Sequence, residues 1–248
     1  MKLKLLSLLL CGTLLSACAT RTPYGQEIAP ERRYSDISAG QNFQRQFVVY
    51  DPAEGTNKHI YKFNAKLDEY VLIPIVDGYK AVTPEMVRKG VSNFFLNVGE
   101  VTNLINSTLQ ASPKKASITV ARFAINTTAG LLGTIDVATK VGLDRQSEDF
   151  GQTLGKWGVG PGAYVMLPVL GPSNIRDTTG KIVDLAALSF IIPNHLEDEA
   201  AYKVIVYGLA PIDSRYRNNF RYFQSGSPFE YELVRYLNNQ SRKLQVDK

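Results

Sequence analysis

The chain has 248 residues, of which 44% are hydrophobic and 21% charged, with a net charge of +5 and a pI near 9.1. That balance excludes a disordered polymer and leaves room for one domain, or two small ones, around a buried core. Two cysteines, Cys11 and Cys18, exclude a disulfide framework.

The first element is Met1-Lys2-Leu3-Lys4 followed by Leu5 to Leu15, which is apolar apart from Ser7, Cys11, Gly12 and Thr13. A membrane helix needs ~20 residues, so this stretch is too short to span. A basic start, a short apolar core and a small-residue ending predict a secretory signal peptide over residues 1–17. Leu15-Ser16-Ala17-Cys18 resembles the bacterial lipobox, which makes Cys18 the lipidation site. Cleavage there removes Cys11, so no internal disulfide can form even in an oxidising compartment. It also removes Lys2 and Lys4, taking the net charge from +5 to +3. Each buried methylene adds ~0.8 kcal/mol, so several acyl chains make an anchor that does not release. Ala19 and Thr20 follow where an Asp retains lipoproteins in the inner membrane, and by that sorting rule the expected address is the outer membrane. For an exported lipoprotein a basic pI suits anionic lipid or an acidic partner, and no nucleic acid is expected.

Residues 18–50 read as a lipidated tether, because Pro23, Gly25, Pro30 and Gly40 interrupt a polar sequence without apolar period. Residues 51–248 read as one all-α domain. Asp51-Pro52-Ala53-Glu54, Thr83-Pro84-Glu85 and Ser112-Pro113 each place a capping residue before a proline, the signature of a helix start. Ile60, Phe63 and Leu67 follow the first at helical spacing, and Val98, Val101, Leu104, Ile105 and Leu109 predict a helix over 98–110. Residues 173–192, about 195–223 and 227–243 complete the helices. Tyr164 to Leu167 is the single strand candidate. Between 150 and 172 the helical rhythm stops in a Gly/Pro-rich loop. Gly151, Gly155, Gly158 and Gly160 predict a movable gate or hinge, and 164–172 a fixed apolar mount.

Several stretches in fixed order carry a family resemblance. They are Asp51-Pro52-Ala53-Glu54-Gly55-Thr56-Asn57, Phe63-Asn64, Leu109-Gln110, Arg122-Phe123-Ala124-Ile125-Asn126-Thr127 and Gly133-Thr134-Ile135-Asp136-Val137-Ala138. Phe150-Gly151-Gln152-Thr153-Leu154-Gly155, Gly171-Pro172-Ser173 and Arg176-Asp177 complete the set. The chain resembles the MlaA (VacJ) family of outer-membrane lipoproteins. The resemblance implies a helical ring around an amphipathic channel, through which phospholipids misplaced in the outer leaflet pass to a periplasmic carrier, MlaC. It also implies a trimeric outer-membrane porin as partner, and neither a cofactor nor covalent chemistry.

Asp177, Lys181 and Asp184 stand at i, i+4 and i+7 with Arg176 alongside, so they are candidates to line such a channel. The same spacing fits an ordinary solvated face with an ion pair, and periodicity does not separate the two. A lipid hydrolase would need a nucleophile and base, but only His59 and His195 exist and no G-x-S-x-G elbow occurs. Metal ligation is disfavoured by the absence of a His pair or Cys cluster at ligand spacing. A structural lipoprotein that scaffolds porins without moving lipid is the remaining alternative.

Overall fold

The computed structural model describes residues 49–191 and 199–248. Cys18, the signal peptide 1–17, nearly all of the 18–50 tether and His195 lie outside the described residues. Helix α1 (Glu54–Leu67) continues through a π-helical turn, Asp68–Leu72, into α2 (Ile73–Val82). Pro74 explains the turn, because a proline has no N–H for the regular ladder and its ring collides with the carbonyl four residues back. Pro84 then forces extended backbone on Thr83, which ends α2. Helices α3 (Glu85–Val98) and α4 (Glu100–Leu109) meet at Gly99, and α5 (Pro113–Thr128) packs back on both.

Two short helices follow, α6 (Val137–Lys140) and α7 (Phe150–Lys156), each capped by the Asp just before it. Next comes an antiparallel hairpin, β1 (Tyr164–Leu167) with β2 (Gly171–Asn174), in a register that pairs Tyr164 with Asn174. Helix α8 (Ile175–Ile191) leaves the hairpin directly. Helix α9 (Ala200–Lys203) runs through a second π-helical turn, Val204–Leu209, into α10 (Ala210–Arg217). Pro211 stands just past that turn, as Pro74 does past the first. Helix α11 (Glu230–Asp247) packs on α7 and β2, while α10 packs on α2 and α3.

The fold is mostly helical, as expected, with corrections in detail. None of α1, α3 and α5 has a side-chain cap hydrogen bond. The α1 cap position falls on Ala53, because Asp51 is engaged elsewhere. The segment expected as a loop from residue 150 is helical to Lys156, and Gly151 is buried within it. The strand Gly171–Asn174 was not expected, since Gly, Pro, Ser and Asn are poor strand formers. It forms because Val169 and Gly171 adopt φ of +68° and +80°, turning the chain back on β1.

The interior is small and aromatic. Tyr61, Tyr164, Met166 and Tyr231 form the core cluster, with Tyr61 and Tyr164 each set edge-on to Tyr231 at 5.7 and 6.1 Å. Among the described residues seven hydrophobic side chains are buried, against twenty-three polar or charged ones. Large apolar residues lie outside instead, including Val82, Met86, Leu131, Leu132, Leu185 and Phe190, the last 90% exposed.

Candidate functional site

Three polar joints hold the helices together. The first ties α1 to the hairpin and α11. Asn57 donates to Asp51 at 2.7 Å and to the Tyr164 carbonyl at 3.2 Å, and accepts the Met166 N–H at 2.9 Å. Asn64, two turns on, donates to the Leu167 carbonyl at 2.9 Å and accepts the Val169 N–H at 2.8 Å. The two amides thus pair with the hairpin backbone as a third strand would. Asp51 in turn accepts from the Tyr231 hydroxyl at 2.5 Å and from Arg235 at 2.8 Å. Glu54 meets Lys58 at 3.0 Å and Arg235 at 3.6 Å. The motif residues Asp51, Glu54, Asn57 and Asn64 therefore converge on one joint. Phe63 is half exposed, and Pro52 sits in the turn before α1.

The second joint is where α7, α8 and α11 meet. Asp177 is buried, accepting from Arg176 Nε at 2.9 Å, Asn174 Nδ2 at 2.7 Å and Arg242 Nε at 2.7 Å. Burial would raise its pKa, but the Arg242 and Arg176 guanidiniums outweigh that and hold it below the usual carboxylate range. Asp149 is lowered in the same way, burial opposed by a two-pronged contact with Arg242 at 2.7 and 2.8 Å. Asp184 departs upward, because burial exceeds what its bonds from the Phe150 N–H and Asn106 return, each at 2.9 Å. Two carboxylates thus sit at the N-terminus of α7, whose exposed donors favour negative charge. Lys181 is exposed; crowding by protein, and then Arg242, lowers its pKa.

Asp177, Lys181 and Asp184 do not form the uniform strip that their spacing suggests. Both acids point into helix contacts, and of the three only Lys181 is exposed. The glycines explain the close approach. A Cβ on Gly180 would lie 2.3 Å from the Gly151 nitrogen, and one on Gly151 2.6 Å from Asp177. One on Gly155 would meet Val246 at 2.7 Å. Gly151 and Gly155 are therefore packing positions, whereas Gly158 and Gly160 have open space around them, Gly158 at φ +89°. Arg242, Asn106 and Asp149 were not singled out from the sequence. Asp149-Phe150-Gly151-Gln152 did carry a signal, since an Asp three residues before Gln152 is an N-cap pattern, and the acid accepts from the Gln152 backbone and side-chain N–H groups.

The third joint is Glu100 with Arg122 at 3.0 Å, both almost wholly buried, and Asp136 with Arg122 at 3.3 Å. His59 lies exposed with its Nδ1 at 2.6 Å from the Gly55 carbonyl, within its own helix. No metal-holding cluster occurs among the described residues, and no described helix is long and apolar enough to cross a membrane.

The MlaA lipoprotein family model matches residues 49–245. A Rickettsia felis protein is 40% identical over 154 residues, 62% of this chain and 61% of its own length. The Haemophilus influenzae intermembrane phospholipid transport system lipoprotein MlaA is 34% identical over 172 residues, 68% of this chain and 67% of its own. Its Escherichia coli namesake is 36% identical over 188 residues, 74% of this chain and 66% of its own. The matched stretch thus spans less than two thirds of the Rickettsia felis and Escherichia coli proteins. A solved structure described as the structural basis for maintenance of bacterial outer membrane lipid asymmetry is 30% identical with a TM-score of 0.65. That likeness covers 80% of this chain and all of the other.

Proposed function

Because the chain belongs to the MlaA lipoprotein family, we propose that it removes misplaced phospholipids from the outer leaflet of a bacterial outer membrane. It passes them through an amphipathic channel to a soluble periplasmic carrier of the MlaC type, beside a trimeric porin. It is an envelope lipoprotein and works as a transporter, with no catalytic step. Cys18 carries the acyl anchor in the periplasmic leaflet. The observation that carries this reading is the inverted distribution of side chains: polar joints inside, large apolar residues outside. A water-soluble domain places them the other way round, and apolar patches of this extent mark contact with lipid or protein. Within the channel, Lys181 is the α8 side chain free to meet a passing head group, while Asp177, Asp184 and Arg176 hold the wall behind it. Gly158 and Gly160 are the part of the glycine segment left with room to move.

The test is native mass spectrometry of protein purified in mild detergent. Phospholipid should copurify in stoichiometric amount and leave on addition of an MlaC-type carrier. Protein that carries no phospholipid and yet binds porin trimers would show a scaffold instead. Cys18→Ala should leave precursor or soluble periplasmic protein; wild-type fractionation with the outer membrane would show that Cys18 is not the anchor.

A further inference from the structure

Most buried charges of this molecule are saturated. Glu100 accepts from Arg122 and from Asn103 at 2.8 Å. Asp136 accepts from Asn126, Thr139 and Arg122. Asp213, fully buried, accepts from Ser92 at 2.5 Å and Arg217 at 2.8 Å. Arg145 departs from this: Arg88 and Arg235 also bury an unpartnered Nε, but each is bonded through Nη1. Arg145 lies in the extended connector between α6 and α7, with its side chain 26% exposed. Its Nε is buried without a hydrogen-bond partner. The nearest carboxylate oxygen, on Glu100, is 3.8 Å away and already engaged by Arg122. The Nη2 end lies over Gly99, where a Cβ would stand 2.8 Å from it, so the backbone leaves that end room.

Burial, and then the charges of Arg122 and Arg217, depress the Arg145 pKa despite the opposing pull of Glu100. Arg217 is itself one third exposed and bonds Asp213 through Nε. An unpaired, largely buried guanidinium is costly, and a planar fork with free donors matches phosphate oxygens.

We propose that Arg145 is a receptor for a phosphate group, with Arg217 adding positive charge, and that it holds the phosphodiester of a phospholipid head or a free phosphate. The bound oxygens reach Arg145 from its exposed side and offset the positive charge it shares with Arg122 and Arg217. The lipid form of the proposal rests on the transport reading; the anion site itself does not.

The experiment is calorimetric titration of the detergent-solubilised full chain with three probes: dihexanoyl phosphatidylglycerol, dihexanoylglycerol and inorganic phosphate. Wild type should bind the phosphatidylglycerol more tightly than the uncharged diacylglycerol. Arg145→Gln should lose about tenfold for the phosphate-bearing probe, worth ~1.4 kcal/mol, and nothing for the other. Arg217→Gln, at a more exposed position, should show a smaller loss in the same direction and serves if the Arg145 variant melts early. Displacement by millimolar inorganic phosphate would identify a free-phosphate site, and displacement by lipid alone a head-group site. Phosphatidylglycerol binding that both variants leave unchanged would overturn the receptor while transport stands. Phosphate binding that needs Arg145 in a protein taking up neither lipid would keep the receptor and remove the transport reading. Titration by an acidic peptide and by none of the phosphates would also overturn the proposal.

Discussion

Asp177 and Asp184, two turns apart on α8, respond to burial in opposite ways, and the difference lies in their partners. Asp177 has Arg242 and Arg176, so its folded pKa falls; Asp184 has only neutral donors, so its folded pKa rises. A depressed carboxyl contributes stability that is fully present above its unfolded value of ~3.9 and is lost as pH falls through the folded value. Asp149 and Asp177 should therefore make the protein acid-labile below that range, while Asp184 opposes them weakly. Arg242→Gln removes the cation that both lowered acids share. Because it leaves Asp177 buried and short of a partner, the loss should be about 3 kcal/mol near neutral pH. Denaturant unfolding from pH 6 to pH 3 should show wild type losing stability steeply and the variant losing little. Parallel curves would mean that Arg242 does not set these acids. The sequence displayed Asp177 and Asp184 as equals because spacing reports a face of a helix. Arg242 lies 65 residues away from Asp177, and no local pattern connects the two.

The helix boundaries were legible because a proline acts on its own neighbours. Pro84 and Pro113 mark starts whatever the tertiary structure does, and α3 and α5 begin within a residue of them. The hairpin was only half legible. Its first strand is apolar and is held by Asn57 and Asn64 on α1, but its second pairs only because Val169 and Gly171 turn the chain back at positive φ. Asn57→Ala would leave the buried Met166 N–H without its acceptor and should cost about 1–3 kcal/mol, read as a lowered melting temperature. The glycine segment was misread for a related reason: density of glycine shows where side chains are absent, and either freedom or a close neighbour can explain that. Gly180→Ala would push α8 off α7 and should destabilise by about 1–3 kcal/mol. Gly78→Ala, within α2 and with open space around it, should stabilise by about 0.4–1 kcal/mol. A pair of thermal melts in detergent separates the two; equal effects would contradict the close helix crossing.

For the whole molecule, composition gave no warning of the inversion between inside and outside. A chain with 44% hydrophobic residues is ordinary, and only the arrangement in space makes it unusual. Apolar residues at helical spacing normally mean a core face; here many of them face outward, since neighbouring helices meet through asparagines, arginines and acids. Met86 and Phe190, on α3 and α8, are among the most exposed. Met86→Asp with Phe190→Asp should leave folding in detergent nearly unchanged, because neither side chain touches the interior. The pair should weaken sedimentation with phospholipid vesicles several-fold, and unchanged sedimentation would show that these faces do not meet lipid.

Helix α11 also dictates an order of events. Arg235 completes the joint at Asp51, 184 residues earlier, and Arg242 the joint at Asp149, 93 residues earlier. A chain that emerges from its N-terminus presents these acids long before the cations that balance them. Until α11 arrives, Asp51 and Asp149 lack their arginines, and the first helix has only the hairpin to close against. Closure over so long a separation is slow. The emerging polypeptide therefore displays its apolar faces before the joints that fix its shape can close.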